Sequence, residues 1–226
     1  MNYSALEKCP LFNGVPANEL RKDLEKTLFH IKHYDKGEII FRLMEPATRI
    51  GIILEGSVEI QKYLPNGKQV NLSVVGEGKM IGAAAVFSKI MKYPCNIVAL
   101  KSVDMMIFQK KDILGLMQKD VRILENFTTE IASAAYMMQL RLELFSYSGI
   151  AQKAAFWLLM HAKQGEKKSV TIPSVSKWAM LMNVSRSSLH RELKHLEEQS
   201  VISYTPPVIE ILDPNGLKKI LNIWIQ

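Results

Sequence analysis

Cysteine is nearly missing from this 226-residue chain, whose two thiols are Cys9 and Cys95. Two cannot build a disulfide framework, nor supply the four ligands of an iron–sulfur cluster. Long apolar runs are missing as well. The longest, Met80–Phe87, falls far short of the ~20 residues that span a bilayer. The opening MNYSALEKCP lacks the basic-then-apolar order of a secretion signal. Glycine and proline, at 12 and 9 residues, are too few for a collagen-like or low-complexity chain. No glycine-rich phosphate loop, HExxH or GxSxG occurs, and no carboxylate pair has a catalytic context. These absences point to a soluble cytoplasmic protein with no membrane partner, and not to an enzyme.

What is present is an ordinary globular composition, 48% hydrophobic and 23% charged, long enough for one large domain or two small ones. The net charge of +7 leans towards an anionic partner. Its distribution says more: residues 149–226 carry ten Lys/Arg against six Asp/Glu. Between 167 and 195 stand Lys167, Lys168, Lys177, Arg186, Arg191 and Lys194, with Glu192 as the anion among them. Such a cluster is either a nucleic-acid face or a solvated helix surface.

Periodicity divides the chain into three. Residues 1–110 read as β-structure behind a short helix whose stripe is Leu20, Leu24 and Leu28. Short apolar runs follow at 37–41, 49–54 and 56–61, broken by glycines, and Asn66-Gly67 predicts a hairpin turn. Closely spaced strands with glycine corners predict a small barrel or jelly roll. Residues 111–148 change to helical spacing, without Gly or Pro between Leu116 and Tyr147. A helix of about 26 residues, ~39 Å long, exceeds what one small barrel covers. Its seam of Leu124, Phe127, Ile131, Met138 and Leu142 is therefore a candidate dimer interface; packing on its own domain is the alternative. Ser146–Gly149 predicts a hinge.

Residues 149–226 open with a helix over 150–161 and a β-like Val170–Ile172. Ser174, after Pro173, is a candidate N-cap for a helix with Val175, Trp178, Ala179 and Met182 inward. Asn183-Val184-Ser185 then makes a tight turn, Asn tolerating left-handed φ. A second helix over 186–199 turns Leu189, Leu193 and Leu196 inward, and 201–212 fits a β-hairpin. Helix, short turn and helix make a helix-turn-helix, with Ser185, Arg186, Ser187, Ser188, His190 and Arg191 facing out. An α-helix fits the DNA major groove, where Arg can fork onto guanine O6 and N7. Hydroxyls and helix N-termini suit phosphates.

The order of several motifs resembles the Crp–Fnr family of transcription regulators from about Pro10 onwards. They are PLF at 10–12, IILEGSVEI at 52–60, GKMIG at 78–82, the long helix, VSRSSLHR at 184–191 and LEEQSVI at 196–202. The resemblance implies an α+β chain: an N-terminal double-stranded β-helix (jelly roll), a long dimerisation helix and a C-terminal winged helix-turn-helix. It implies a homodimer on double-stranded, palindromic operator DNA, with RNA polymerase as a further candidate partner. Carried across, Arg186 and Arg191 fall on the family's two DNA-contacting arginines. Ser187 stands where a Glu that reads cytosine is common, which predicts a changed or more tolerant half-site. Ser188, Ser174, Ser176 and Lys194 complete the candidate DNA contacts.

The same resemblance bears on the sensor. Cyclic-AMP-binding members follow the cassette glycine with a Glu for the ribose, and about ten residues later carry Arg-Ser/Thr for the cyclic phosphate. Here Gly82 precedes Ala83-Ala84-Ala85, the Arg-Ser positions hold Tyr93-Pro94, and the adenine-bonding helix positions hold Ala134 and Ala135. A buried phosphate without a cation is heavily penalised, so neither cyclic AMP nor cyclic GMP is expected. The candidate effector pocket is apolar: Met80, Ile81, Gly82, Ala83, Ala84, Val86, Tyr93, Cys95, Ala134 and Ala135. Three readings stay open. They are an apolar or aromatic molecule with Tyr93 and Cys95 as polar handles, haem on His30 or His33, and an empty vestigial pocket. Cys95 is also a candidate redox sensor, buried apolar cysteine being the commoner case. No resident cofactor or metal is expected.

Overall fold

The computed structural model describes residues 3–63, 69–162, 168–172 and 174–222. The expected turn at Asn66-Gly67, together with Lys167 and Pro173, lies outside the described residues. The backbone parts into two units, 1–134 and 135–226, each with its own apolar core.

The first unit begins with α1 (Tyr3–Glu7), a 3-10 turn at Pro10–Phe12 and α2 (Ala17–Glu25). Strands follow: β1 (His30–Tyr34), β2 (Ile39–Phe41), β3 (Arg49–Glu55), β4 (Ser57–Tyr63), β5 (Gln69–Gly76) and β6 (Met80–Ile81). After the short helix α3 (Ala83–Phe87) come β7 (Asn96–Ala99), β8 (Val103–Gln109) and α4 (Lys110–Lys119). Two antiparallel four-stranded sheets, ordered β1-β8-β3-β6 and β2-β7-β4-β5, form the expected jelly roll. Strand β3 is covered by its facing sheet and by α1 and α3, which pack against it. Ile50, Ile52, Ile53 and Leu54 are accordingly all buried, and a continuous apolar run replaces simple alternation. Gly56 (φ +88°) turns β3 into β4 beside Ser102, where an added Cβ would sit 2.0 Å from the Ser102 carbonyl oxygen.

The long helix α5 (Val121–Ser146) has the expected 26 residues. Asp120 precedes it, accepting from the Arg122 N–H at 2.9 Å. Hydrogen bonds from Arg122 also hold the Asp120 carboxyl below its ordinary range, and the same guanidinium reaches Glu19 of α2. The expected seam is corrected at Phe127. That ring is 7% exposed and packs edge-on against Phe87 at 4.9 Å, and Ile131 is half-buried against the same core. The stripe left on the outside of α5 runs Leu124, Thr128, Ala135, Met138, Leu142 and Phe145. The helix has two apolar faces, and the sequence pattern merged them.

The second unit comprises α6 (Ile150–His161), β9 (Ser169–Thr171), α7 (Val175–Leu181), α8 (Arg186–Glu198), β10 (Ile202–Thr205), β11 (Val208–Ile211) and α9 (Pro214–Ile220). The three strands form one antiparallel sheet ordered β10-β11-β9, with β10–β11 as the expected hairpin. Leu144 of α5, Ala154, Phe156 and Leu158 of α6, Trp178 of α7 and the leucines of α8 build its core. The terminal helix α9, capped by Asp213 accepting from Asn215 N–H at 3.0 Å, was not anticipated from its residues.

Candidate DNA-reading face and effector cavity

Ser174 caps α7 as expected, its Oγ accepting from the Lys177 N–H at 3.1 Å. The turn into α8 is a Schellman closure. Val184 N–H donates to the Ala179 carbonyl at 3.0 Å and Asn183 N–H to that of Met180 at 3.2 Å, with Asn183 at φ +53°. Ser185 then caps α8, accepting from the Ser188 N–H at 3.0 Å. Its hydroxyl also lies 2.7 Å from that of Ser188 and 3.1 Å from that of Ser187. Leu189, Leu193 and Leu196 anchor the inner face. Arg186, Ser187, His190, Arg191 and Lys194 stand exposed on the other, while Ser188 is half-buried. Ser174 and Ser176 are exposed at the start of α7. Lys194 lies 3.9 Å from Glu198 across one helical turn; among the described residues neither Arg186 nor Arg191 has an ion-pair partner.

A cleft of about 560 Å³ is walled by Val175 of α7, by Arg186, Ser187 and His190 of α8, and by Tyr204 and Pro206 of the hairpin. The hairpin is tied down by Glu197, which accepts from the Tyr204 N–H at 2.9 Å. Tyr204 and Pro206 carry no local signal for this cleft. Their hairpin was legible in the sequence, but not the face it turns to α8. The result is a helix with a polar, cationic front whose two arginines have no ion-pair partner among the described residues, the shape that fits a major groove.

In the first unit, β6 turns at Gly82 (φ +82°) into α3. An added Cβ there would lie 3.0 Å from the Arg49 carbonyl oxygen and from the Phe41 ring. Above this turn opens a cavity of about 310 Å³. Met80, Ile81, Gly82, Ala83, Ala84, Tyr93, Cys95 and Ala134 border it, joined by Ile60, Val75, Ala85, Pro94, Ile97, Glu130 and Ile131. Val86 is fully buried in the core, and Ala135 is exposed on α5.

Tyr93 is not the polar handle expected. Its ring stacks on Phe41 at 4.5 Å and 4°, and its hydroxyl donates to the Arg49 carbonyl at 2.7 Å while accepting from the Arg49 N–H at 3.2 Å. Its polar end is consumed by backbone, so it offers the cavity only an apolar ring. Cys95 is half-buried, and burial raises its thiol pKa; Cys9, deep in the core, is pushed up to about 11. Both shifts disfavour the reactive thiolate. His30 and His33 are exposed on β1 and neither borders the cavity. His33 Nδ1 lies 2.6 Å from Asp104 Oδ1 and Nε2 3.0 Å from Ser102 Oγ, so both ring nitrogens are occupied. Among the described residues no group of three His, Cys, Asp or Glu side chains could hold a metal ion, and no helix is long and apolar enough to cross a membrane.

A jelly roll with a cavity over its short helix, in one chain with a capped helix-turn-helix, defines a DNA-binding regulator with a sensor domain. The family models agree in order and extent: the cyclic nucleotide-binding domain matches residues 31–120, and the Crp-like helix-turn-helix domain residues 152–220. The chain belongs to the Crp family, whose members regulate transcription and are not enzymes. It is 23% identical over 211 residues to the cyclic AMP receptor protein of Thermus thermophilus, covering 93% of this chain and 96% of that one. It is also 23% identical over 180 residues to the cAMP-activated global transcriptional regulator of Haemophilus influenzae, covering 76% and 80%. Among solved structures, the catabolite activator protein of Thermus thermophilus superposes with a TM-score of 0.54 at 21% identity, over 95% of this chain and all of that one.

Proposed function

We propose that this regulator acts as a homodimer on a roughly palindromic operator, and that its roll answers to a small apolar molecule and not to a cyclic nucleotide. The observation that carries the DNA half is the exposed, unpaired pair Arg186 and Arg191 on a helix capped by Ser185. Two such helices, one from each protomer, would enter successive major grooves ~34–36 Å apart, with RNA polymerase as the further partner at the promoter. Pairing along the outer stripe of α5 buries Met138 and Leu142, which are 66% and 67% exposed in the single chain. The division that serves this reading is a sensor over 1–110, a dimerisation helix with its hinge over 111–148, and a DNA-binding domain over 149–226.

The sensor half rests on the cavity's chemistry. Two relatives are named for cyclic AMP, whose phosphate needs a cation. The described residues bordering this cavity include neither Lys nor Arg, and the position that would supply the arginine holds Tyr93, already bonded to β3. Gel shifts over a salt series test the whole reading. Operator binding should weaken steeply as salt rises, and Arg186→Ala should erase sequence preference before it erases non-specific binding. Adding cyclic AMP should leave the melting temperature and the operator affinity unchanged. A cyclic-AMP-dependent rise in either would overturn the sensor assignment.

A further inference from the structure

We propose that the effector of the roll cavity carries a protonated nitrogen on an apolar body, an aralkyl or aliphatic amine, and that Glu130 is the residue that selects it. This rests on the reading of the cavity as an effector site. Among the described residues, the side chains that could meet a ligand's polar end reduce to two. Tyr93 has spent its hydroxyl on the Arg49 backbone, which leaves the Cys95 thiol and the Glu130 carboxylate on an otherwise apolar wall.

Glu130 lies on α5 one turn before Ala134, so carboxylate and methyl face the same cavity. Among the described residues it has no hydrogen-bond or ion-pair partner. Lys79 and Lys62 are near enough to lower the thiol pKa values of Cys9 and Cys95 respectively, yet neither borders the cavity. Glu130 is exposed, so water solvates its carboxylate at the edge of the cavity; an anionic ligand would meet that like charge with no Lys or Arg among the described bordering residues, and a neutral one would gain nothing from it. An ammonium group supplies the opposite charge and the hydrogen-bond donors that a carboxylate accepts. The volume holds roughly ten heavy atoms at the ~30 Å³ a water molecule takes in the liquid, the size of a phenyl ring with a short aminoalkyl arm.

Three matched probes test this on the full-length protein by calorimetric titration: phenethylamine, 2-phenylethanol and 3-phenylpropionate. The expected result is phenethylamine binding at least tenfold tighter than the alcohol, with the carboxylate weakest. Glu130→Gln should bring the amine down to the level of the alcohol and leave the alcohol unchanged, while Ala84→Trp, filling the cavity, should remove both. Equal binding of amine and alcohol, or an amine preference that survives Glu130→Gln, overturns the proposal while the apolar cavity stands. If no probe binds, or Ala84→Trp changes nothing, the cavity reading falls with it.

Discussion

Asn183 and Ser200, which flank α8 on either side, adopt a conformation that L-residues avoid. Each is left-handed, at φ +53° and +57°, and each closes a helix by the same pair of backbone bonds; at Ser200 these are Val201 N–H to Leu196 and Ser200 N–H to Glu197. Asparagine tolerates that region better than most residues, and a β-branched one loses the tolerance. Asn183→Val should therefore cost about 1–2 kcal/mol in urea unfolding, and Asn183→Gly should cost nothing. Gly82 and Gly56 are harder constraints, because a Cβ at either meets backbone carbonyl oxygen as well as a positive φ. Gly82→Ala should lose ~1–2 kcal/mol, and Gly56→Ala distinctly more, since its contact at 2.0 Å is with main chain that cannot swing aside. Equal losses at the two positions would show that φ alone sets the penalty.

At the level of elements, β1 and β8 are joined through a titrating contact. The hydrogen bond to Asp104 holds the His33 pKa above its ordinary value. Folding therefore favours the protonated ring. That contribution is complete below about pH 6.5 and disappears as pH rises through the raised folded-state value. His33→Gln should flatten the dependence of melting temperature on pH across that window, and Asp104→Asn should do the same; a dependence unchanged in both variants would remove His33 from the account. On α8 the chemistry sorts by position. Arg186→Ala should cost about 1–3 kcal/mol of discrimination at one base pair. If Arg191 meets phosphate, Arg191→Ala should weaken all sequences alike and shallow the salt slope by about one.

For the whole molecule, the outer stripe of α5 is the proposed seam of the dimer. Leu142→Glu places a charge in the middle of the proposed seam without touching either core. It should yield a monomer in sedimentation and lower operator affinity at least tenfold, with the far-ultraviolet spectrum unchanged. The wild-type melting temperature should climb with protein concentration, as mass action requires of a dimer, and the variant's should not. A monomeric wild type that still binds its operator tightly would dissolve the two-groove geometry.

The order of elements was legible because their signals are local. Strand runs cut by glycine, a helix without breakers, Ser174 as a cap and Asn183 at the turn all act within a few residues, so the jelly roll, the long helix and the helix-turn-helix could be read in sequence order. The reading failed wherever two distant segments had to be brought together. Tyr93 looked like a handle until the fold set Arg49, 44 residues away in sequence, against its hydroxyl. Phe127 shared its spacing with an outward seam, and periodicity states that a residue lies on an apolar stripe without saying which surface it meets. Glu130 carries no local signal that it borders a cavity, because Ile60, Tyr93 and the other walls come from distant strands and loops. Local chain chemistry determined which elements form; only the packing of those elements on one another, such as the start of α5 on the roll, decided which side chains became core, which became cavity wall and which stayed exposed.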